Sequence, residues 1–378
     1  MCAAVCSKKC IRMVENKFGE LVPIVEENAC SNCGLCRSVC PFDGNDLTGS
    51  ELRDDYGYYA GRIENSGRTV SSGGFCTEFL KHLFENGEID AVACAVKAES
   101  GYRYAIVDSV DQLDKCGGSA YCPLSVNEAV DVMKNDGRKY AVVGVPCVLR
   151  AFDKACEKLP ALRKNIAVKC GLVCGGVPSY ALIDCVASSF SRKCSDIADY
   201  RFKIHAPDRP ADDYGMRIYW KDGSYSDSYG SEEFGYLFWN HCFALNSCMH
   251  CRDIFCDGSD VTFMDAWLDE YKKLNVGTSF AIVKNQKFGA FFDLLVSRNS
   301  ASVKSKLDAV SAQEKLIDYK LGTKEGNAFV RNLTEKYRNS DSFNERLHEE
   351  IYLEKIKKSK FKRLIQRLKN TVRHIIKG

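Results

Sequence analysis

The feature that most constrains this chain is a run of cysteines near its N-terminus. They stand at spacings of two, two and three residues and are followed directly by a proline: Cys30, Cys33, Cys36, Cys40 and Pro41. Such spacing lets three thiolates from one tight loop reach three corners of a cubane, and soft thiolates match the tetrahedral iron of a 4Fe-4S cluster. A Cys-x-x-Cys pair also binds zinc, but the full spacing with its trailing proline favours the 4Fe-4S cluster.

The fourth ligand of this cluster is expected from a second motif upstream. In proteins with two such clusters, the cysteine before the proline serves the other cluster, so Cys40 is not the expected fourth ligand. Cys2 and Cys6 match the last two cysteines of an upstream motif, although Ser7 stands where proline is usual. We therefore predict that Cys6 completes the cluster. Cys10 stands at the wrong spacing and is predicted to pack in a hairpin.

Cys2 and Cys40 remain as half of a ligand set for a neighbouring cluster. The two earlier cysteines of the upstream motif would fall before Met1. Two interpretations stay open: the natural start lies upstream and a second cluster is real, which we favour, or the protein keeps one cluster here. Finding only four irons in the ferredoxin-type module of an upstream-extended chain would exclude the two-cluster interpretation.

A further cysteine group lies far downstream, where Cys248 and Cys251 form a metal-type Cys-x-x-Cys pair between Cys242 and Cys256. Two other cysteines each follow a predicted strand, and ligands in open α/β sheets collect beyond the carboxyl ends of strands. The predicted third site therefore comprises Cys147, Cys174, Cys248 and Cys251. Free cysteine is often just a small buried hydrophobe. We prefer that interpretation for Cys76, Cys94, Cys116, Cys122, Cys156, Cys185 and Cys194.

The number of cysteines also bears on the compartment. The chain has 378 residues and 21 cysteines, an odd number in a protein too large to need disulfides for its stability. Clustered thiols in a reducing cytoplasm more often hold metal. We see no apolar run long enough to span a membrane and no signal peptide. We therefore expect a cytoplasmic metalloprotein, and we expect no nucleic-acid partner.

Periodicity divides the chain into three regions. Residues 1–45 are cysteine-dense, with a predicted β-hairpin over 11–14 and 21–25, and form a ferredoxin-type module. A connector covers about residues 45–72. In the rest of the second region, residues 46–300, strands alternate with helices, which predicts a mixed α/β domain with a mainly parallel sheet. Residues 301–378 are predicted to be helical. The fold class is thus α+β and α/β. Predicted strands cover 89–96, 104–108, 140–145, 166–173, 200–204, 216–220, 224–229, 261–265 and 279–283.

The C-terminal 27 residues carry a strong positive charge. From Tyr352 to Gly378 there are ten Lys or Arg and one Glu, a net charge of +9 that leaves −6 for the rest of a chain whose total is +3. Apolar residues recur there at roughly helical spacing. Such a helix docks on an anionic membrane surface or a partner, or packs on the body as an ordinary solvated helix. Unchanged liposome sedimentation after deletion of 352–378 would exclude the membrane interpretation.

The order of these features resembles the beta subunit family of coenzyme F420 hydrogenase/dehydrogenase. That family joins a ferredoxin module to an iron–sulfur flavoprotein domain. The resembling segments span about the first 300 residues: 2–43, 71–74, 113–121, 143–149, 173–179, 247–265 and 276–283. Gly-Val-Pro-Cys at 144–147 and Cys-Gly-Gly-Val-Pro-Ser at 174–179 make the resemblance specific.

Some positions depart from the family pattern. Val145 stands where Thr is usual, Gly175 where His is usual, and Ala120 where a Lys is common. Met264 occupies the place of a Gly before Asp265. Because several of these positions lie where flavin or substrate is expected, they put the substrate in doubt more than the fold.

The resemblance implies FAD in the α/β domain next to a 4Fe-4S cluster, with one to three clusters in the chain. It points to Ser72, Gly73, Gly74 and Ser119 as cofactor-binding residues. The Ser-Gly-Gly run before a helix can present backbone N–H groups to a pyrophosphate, although a Gly pair before a helix is more often only a turn. No Gly-x-Gly-x-x-Gly fingerprint is present.

The expected function is electron transfer between 4Fe-4S clusters and FAD, coupled to hydride exchange with a deazaflavin (coenzyme F420-like) or another organic substrate. A flavin suits this task because it couples one-electron and two-electron steps. The expected partners are a redox protein or subunit and a small-molecule hydride donor or acceptor. Two alternatives stay open: a non-catalytic electron-transfer subunit, and a member recruited to surface-polysaccharide biosynthesis.

Overall fold

A computed structural model describes residues 1–43, 48–49, 51–64 and 71–321. The strands are β1 Ile11–Glu15, β2 Leu21–Val25, β3 Gly57–Arg62, β4 Ala91–Lys97, β5 Tyr102–Val107, β6 Tyr140–Gly144, β7 Ile166–Leu172, β8 Ile197–Ile204, β9 Gly215–Trp220, β10 Tyr225–Tyr229, β11 Val261–Asp265, β12 Ser279–Val283 and β13 Ser300–Val303. Nothing within these residues is a helix both long and apolar enough to cross a membrane.

Short helices connect most of these strands. They are α1 Cys2–Val5, α2 Leu35–Ser38, α3 Phe75–Glu85, α4 Val110–Lys115, α5 Asn127–Met133, α6 Pro146–Lys158, α7 Pro160–Asn165, α8 Ala181–Ser189, α9 Glu233–Trp239, α10 Asp269–Lys272, α11 Gly289–Arg298, α12 Lys306–Ala312 and α13 Glu314–Leu321. Single 3-10 turns cover Glu27–Ala29, Cys194–Asp196, Asn246–His250 and Gln286–Phe288.

Eight strands form one large sheet in the order β13-β3-β12-β11-β7-β6-β4-β5. The four central strands β11, β7, β6 and β4 are parallel, and the strands outside them are antiparallel. The central strands are largely apolar, as is typical of strands whose two faces are both covered by helices. The sheet is therefore mixed, and the prediction of a mainly parallel sheet holds only for its centre.

Two strands lie where no strand was predicted. β3 falls in the segment predicted as a connector, and its Gly57–Arg62 sequence contains two glycines. β13 falls in the region predicted to be helical, and it is a four-residue edge strand with no buried residue. Neither segment has the apolar alternation that signals a strand. The described part of the C-terminal region otherwise contains α12 and α13, and the predicted basic helix lies outside the described residues.

The core is built on both faces of the large sheet. On one face, α3 and α11 pack aromatic side chains such as Phe79 and Phe292 against Phe263 of β11. On the other face, α5, α6 and α7 cover Tyr140 and its neighbours. Successive strand residues point to opposite faces, so Ala141 faces the first layer while Tyr140 and Val142 face the second.

The N-terminal segment packs on this second layer. The predicted hairpin is present, with β1 and β2 antiparallel and Ile11 opposite Val25. Ala4, Val5 and Val39 are buried in the same apolar cluster as α5 and α6. Lys134 and Lys154 donate to the backbone oxygens of Ala4 and Cys40 at 2.9 and 2.6 Å. The segment is therefore fixed to the α/β domain by both apolar contacts and hydrogen bonds.

A separate three-stranded antiparallel sheet, β10-β9-β8, lies beside the large one. With α8 and α9 it encloses an aromatic core that includes Phe202, Tyr214, Trp220 and Phe234. Its strand β8 reaches the loop before α5, where Phe202 bridges to Ser119. The end of β8 thereby comes to the edge of the large sheet at which the central strands end.

Candidate functional site

The carboxyl ends of the central strands gather the predicted site residues at one edge of the sheet. β6 ends at Gly144 opposite Gly171 of β7, and β7 pairs in parallel with β11, which ends at Asp265. β12 begins at the same edge, because Ser279 pairs with Asp265. Residues that follow these ends therefore meet, as ligands do in open α/β sheets.

The four cysteines predicted as a third metal site come together at this edge. Cys147 lies in the first turn of α6, and Cys174 follows β7. Cys248 lies in the 3-10 turn Asn246–His250, and Cys251 follows it. The thiol of Cys147 interacts electrostatically with the other three, and Cys174 interacts with both Cys248 and Cys251.

Burial makes three of these four thiols hard to ionise. It raises the pKa of Cys147 and Cys174, and it raises the pKa of Cys248 to about 12. Bound metal displaces such protons, so a thiolate-seeking cation suits the group. Within the described residues, no three Cys, His, Asp or Glu side chains already form a metal-ligating set. The donors are four soft sulfurs, which is the chemistry that a 4Fe-4S cluster requires.

A lysine that the sequence did not indicate as a site residue contacts this group of cysteines. Lys320 of α13 is buried, and its Nζ donates to Cys251 Sγ at 3.3 Å and to the carbonyl oxygen of Asp253 at 2.9 Å. The backbone N–H of Val177 donates to Cys248 Sγ at 3.4 Å. The thiols thus face a cation and an N–H donor, both of which stabilise negative charge on sulfur.

A cluster of polar side chains, the polar pocket, surrounds the end of β11, the strand next to β7. Ser72 donates to Asp265 Oδ1 at 2.6 Å, and Lys203 donates to Ser72 Oγ at 2.9 Å and is paired with the same Asp265. His205 Nε2 lies 3.1 Å from the carbonyl oxygen of Ser71. Burial is the main cause that lowers the pKa of His205, which favours the neutral form of this ring.

The predicted cofactor residues lie around this pocket. Ser119 Oγ is 3.5 Å from Ser71 Oγ, so it joins the Ser72 loop. Gly74 caps α3 in a left-handed conformation, with φ of 89°. A Cβ on Gly73 would stand 2.2 Å from the carbonyl oxygen of Gly61. Close packing on β3 therefore already explains why residue 73 is a glycine, and its phosphate-binding role stays a prediction.

Aromatic rings form one wall of the same pocket. The ammonium of Lys203 lies 5.6 Å from the ring centroid of Tyr214 and 5.8 Å from that of Trp267. These two rings are stacked, with centroids 6.0 Å apart and an angle of 16° between their planes. Lys203 has a left-handed backbone, with φ of 55°, which is rare for a non-glycine residue and often occurs at functional sites.

The cysteines of the N-terminal motif lie apart from this edge. Cys6 Sγ is 3.4 Å from Cys10 Sγ, and the Cys10 thiol also interacts with Cys30. Cys33 is exposed and Cys36 is partly buried. Cys10 is buried as predicted, but the sequence did not indicate its contact with the Cys6 thiol.

The remaining predicted ligands, Cys2 and Cys40, lie elsewhere in the module. Both interact electrostatically with the Met1 amino group. The carbonyl oxygen of Cys40 also accepts a hydrogen bond from Lys154 of α6. These two cysteines therefore lie on the side of the module that faces the α/β domain.

Several other cysteines have the structural surroundings expected of small hydrophobes. Cys242 is buried in the aromatic core, and Cys256 donates to the carbonyl oxygen of Leu172 at 3.2 Å. Cys94 is buried in the sheet core, with Cys76 and Cys116 packed against it.

Comparison with known proteins agrees with this architecture. Two family models describe the N-terminal and C-terminal parts of the coenzyme F420 hydrogenase/dehydrogenase beta subunit, and they match residues 58–131 and 137–308 respectively. A coenzyme F420-dependent sulfite reductase of Methanocaldococcus jannaschii is 29% identical over 140 residues, which are 36% of this chain and 22% of that protein. The chain thus spans about a fifth of that relative's length.

A solved structure also has the same fold. It belongs to the F420-reducing [NiFe] hydrogenase complex of Methanosarcina barkeri, studied after xenon derivatization. The match has a TM-score of 0.52 at 16% identity and covers 78% of this chain and 95% of that one.

The cysteines and the polar pocket lie at one sheet edge of a chain whose matches are to an oxidoreductase family. The chain belongs to the coenzyme F420 hydrogenase/dehydrogenase beta subunit family, a family of iron–sulfur oxidoreductases.

Proposed function

We propose that this protein is an iron–sulfur flavoprotein that passes electrons between 4Fe-4S clusters and FAD and exchanges a hydride with a deazaflavin or another organic substrate. One cluster is held by Cys147, Cys174, Cys248 and Cys251. The F420-dependent relatives favour a deazaflavin, but the departures from the family pattern leave the substrate open. A cytoplasmic location and a redox partner subunit belong to the same proposal.

The observation that carries the proposal is the proximity of the thiol group and the polar pocket. Cys174 follows β7, and Asp265 ends β11, the neighbouring strand in the sheet. Neighbouring strands lie about 4.8 Å apart. A group bound at Asp265 would therefore lie at the end of the strand next to the one that leads to Cys174, which supports electron transfer between the two sites.

The residues of the pocket suit a flavin. FAD, when bound, would couple one-electron transfer to two-electron hydride exchange. The loop of Ser72, Gly73 and Gly74, with Ser119 beside it, would hold the pyrophosphate. The partly exposed Trp267 ring supplies flat apolar surface. Lys203 holds a fixed positive charge that Asp265 orients, and such preorganised charges stabilise developing negative charge.

The N-terminal module supplies the outer electron site in this proposal. Cys30, Cys33 and Cys36 with Cys6 hold its cluster, and Cys2 and Cys40 belong to a neighbouring one. Cys33 is exposed, which gives a partner protein access. The packing of the module on α5 and α6 keeps it on the α/β domain.

Anaerobic purification with measurement of iron, sulfide and flavin per chain tests the proposal. We expect both flavin bands and broad cluster absorbance in the wild type. The C248S/C251S variant should lose about four irons and keep its flavin. Cluster absorbance without flavin would instead indicate a non-catalytic electron-transfer subunit, and absence of both would contradict the proposal.

Two substitutions test the pocket itself. Lys203→Met should weaken flavin retention and slow hydride transfer at least tenfold, because it removes the buried charge. Lys97→Met is the matched control: Lys97 is also paired with an aspartate, Asp199, but it lies outside the pocket. Normal flavin content and hydride transfer in Lys203→Met would exclude the assigned role of Lys203.

A further inference from the structure

Lys320 is a buried lysine in contact with the cysteine group. It is 2% exposed, and its Nζ bonds to Cys251 Sγ and to the carbonyl oxygen of Asp253. Among the described residues, no ion pair involves Lys320. Lys203, the other buried lysine, is by contrast paired with Asp265. The Lys320 ammonium interacts electrostatically with Cys174, Cys251 and Cys248, and also with the buried carboxyl of Asp253.

A buried ammonium is costly unless negative charge lies nearby. Neutral thiols supply only weak acceptors. Four thiolates around a 4Fe-4S cluster carry a net negative charge, and this charge increases by one when the cluster is reduced. A fixed positive charge at hydrogen-bond distance from one of the sulfurs therefore favours the reduced form more than the oxidised form.

The position of Lys320 is fixed by the packing of its helix. Tyr319 stacks on His241, with ring centroids 3.6 Å apart and an angle of 4° between the planes. A Cβ on Gly175 would stand 2.6 Å from Leu316 Cδ1, so α13 lies directly on the loop that carries Cys174. Packing on both sides of the lysine holds its ammonium against the sulfurs.

We propose that Lys320 raises the reduction potential of the cluster held by Cys147, Cys174, Cys248 and Cys251. This rests on the proposed cluster at those cysteines. In the step concerned, the cluster gains one electron from a one-electron donor, which is oxidised. No bond forms or breaks, and Lys320 keeps its proton. Its charge and its N–H···S hydrogen bond tune the potential, as is known for hydrogen bonds to cluster sulfurs.

Redox titration of the anaerobic holoprotein, followed by EPR, tests this. The relevant signal is first identified as the one that is missing from C248S/C251S. In Lys320→Gln, we expect that signal to titrate at a potential lower by about 59 mV or more, which is a tenfold change in a one-electron equilibrium. Lys320→Arg should keep the wild-type potential. Lys315→Gln, on the exposed side of the same helix, is the neutral control.

The remaining outcomes also decide the question. An unchanged potential in a Lys320→Gln protein with full iron content overturns the inference and leaves the proposed function intact. If Lys320→Gln loses the cluster while Lys320→Arg retains it, the positive charge serves to hold the cluster rather than to tune its potential, and the inference fails. If both variants lose the cluster, the lysine acts by packing and the inference fails. If C248S/C251S removes neither iron nor an EPR signal, the proposed cluster itself is wrong.

Discussion

His241 shows how burial sets the protonation of one side chain in this protein. Its ring stacks on Tyr319 beneath α13. Burial, with a smaller effect from the charge of Lys320, lowers the pKa of His241 from 6.5 to about 4. The unfolded chain therefore binds a proton between pH 6.5 and pH 4 that the folded protein excludes. Stability from this group is present above pH 6.5 and is lost as the pH falls toward 4.

Acid should therefore destabilise the protein through His241. Between pH 7.5 and pH 5, this one group should lower the free energy of unfolding by about 2 kcal/mol, given a pKa change of this size. His241→Phe keeps an aromatic ring against Tyr319 but removes the titration. Chemical denaturation of both proteins at the two pH values measures the difference. Equal losses of stability in wild type and His241→Phe would show that His241 does not titrate in this way.

At the scale of elements, the turn of the N-terminal hairpin is anchored on α8. Gly19 has φ of 70°, and a Cβ there would stand 2.6 Å from the backbone nitrogen of Ala181. The backbone N–H of Tyr180 donates to the carbonyl oxygen of Gly19 at 2.8 Å. The hairpin can approach the helix this closely only because residue 19 has no side chain.

Gly19→Ala should therefore loosen the hairpin. It combines the cost of a left-handed alanine, about 1 kcal/mol, with overpacking of about 1–3 kcal/mol against backbone that cannot yield. Gly87→Ala is the matched control, because Gly87 has φ of 64° but nothing within 4 Å of the added Cβ. Hydrogen exchange over 11–25 should accelerate in Gly19→Ala and stay unchanged in Gly87→Ala. Equal exchange in the two variants would show that the anchor contributes nothing.

The sequence predicted those strands and turns that short patterns of apolar and turn residues determine. The central strands and the hairpin were predicted because apolar runs and turn residues mark them in the sequence. β3 and β13 were missed because their stability comes from neighbours in the sheet, and little in Gly57–Arg62 or Ser300–Val303 signals a strand. The parallel centre could be read from alternating strands and helices, whereas the antiparallel edges depend on pairing across the whole chain.

The residues of the candidate site also differ in whether a local sequence pattern indicated them. Cys248 and Cys251 were recognised by their spacing, and the positions of strand ends suggested their two companions. Lys203 and Asp265 are 62 residues apart, and no periodicity links them. Lys320 comes from a helix that follows the large sheet in sequence. Charged residues that meet only after the tertiary fold forms leave no mark in a single sequence.

At the scale of the whole molecule, two of the proposed iron sites differ in their access to solvent. The motif of Cys30, Cys33 and Cys36 lies on the outside of the N-terminal module, and Cys33 is exposed. At the sheet edge, Cys251 is 7% exposed, and α13 with Lys320 covers it. A reagent from solvent therefore reaches Cys33 of the outer site directly, whereas α13 covers Cys251 of the inner site.

Iron removal should accordingly occur in two phases. With an iron(II) chelator added anaerobically to the reduced holoprotein, we expect a fast phase from the outer site. A slow phase from the inner site should be at least tenfold slower, because local opening of α13 precedes it. The variant C30S/C33S should lose the fast phase and C248S/C251S the slow one. Tyr319→Ala, which removes the stack on His241, should accelerate only the slow phase. Iron release in one phase at one rate, with no effect of Tyr319→Ala, would contradict the expectation that α13 shields an inner cluster.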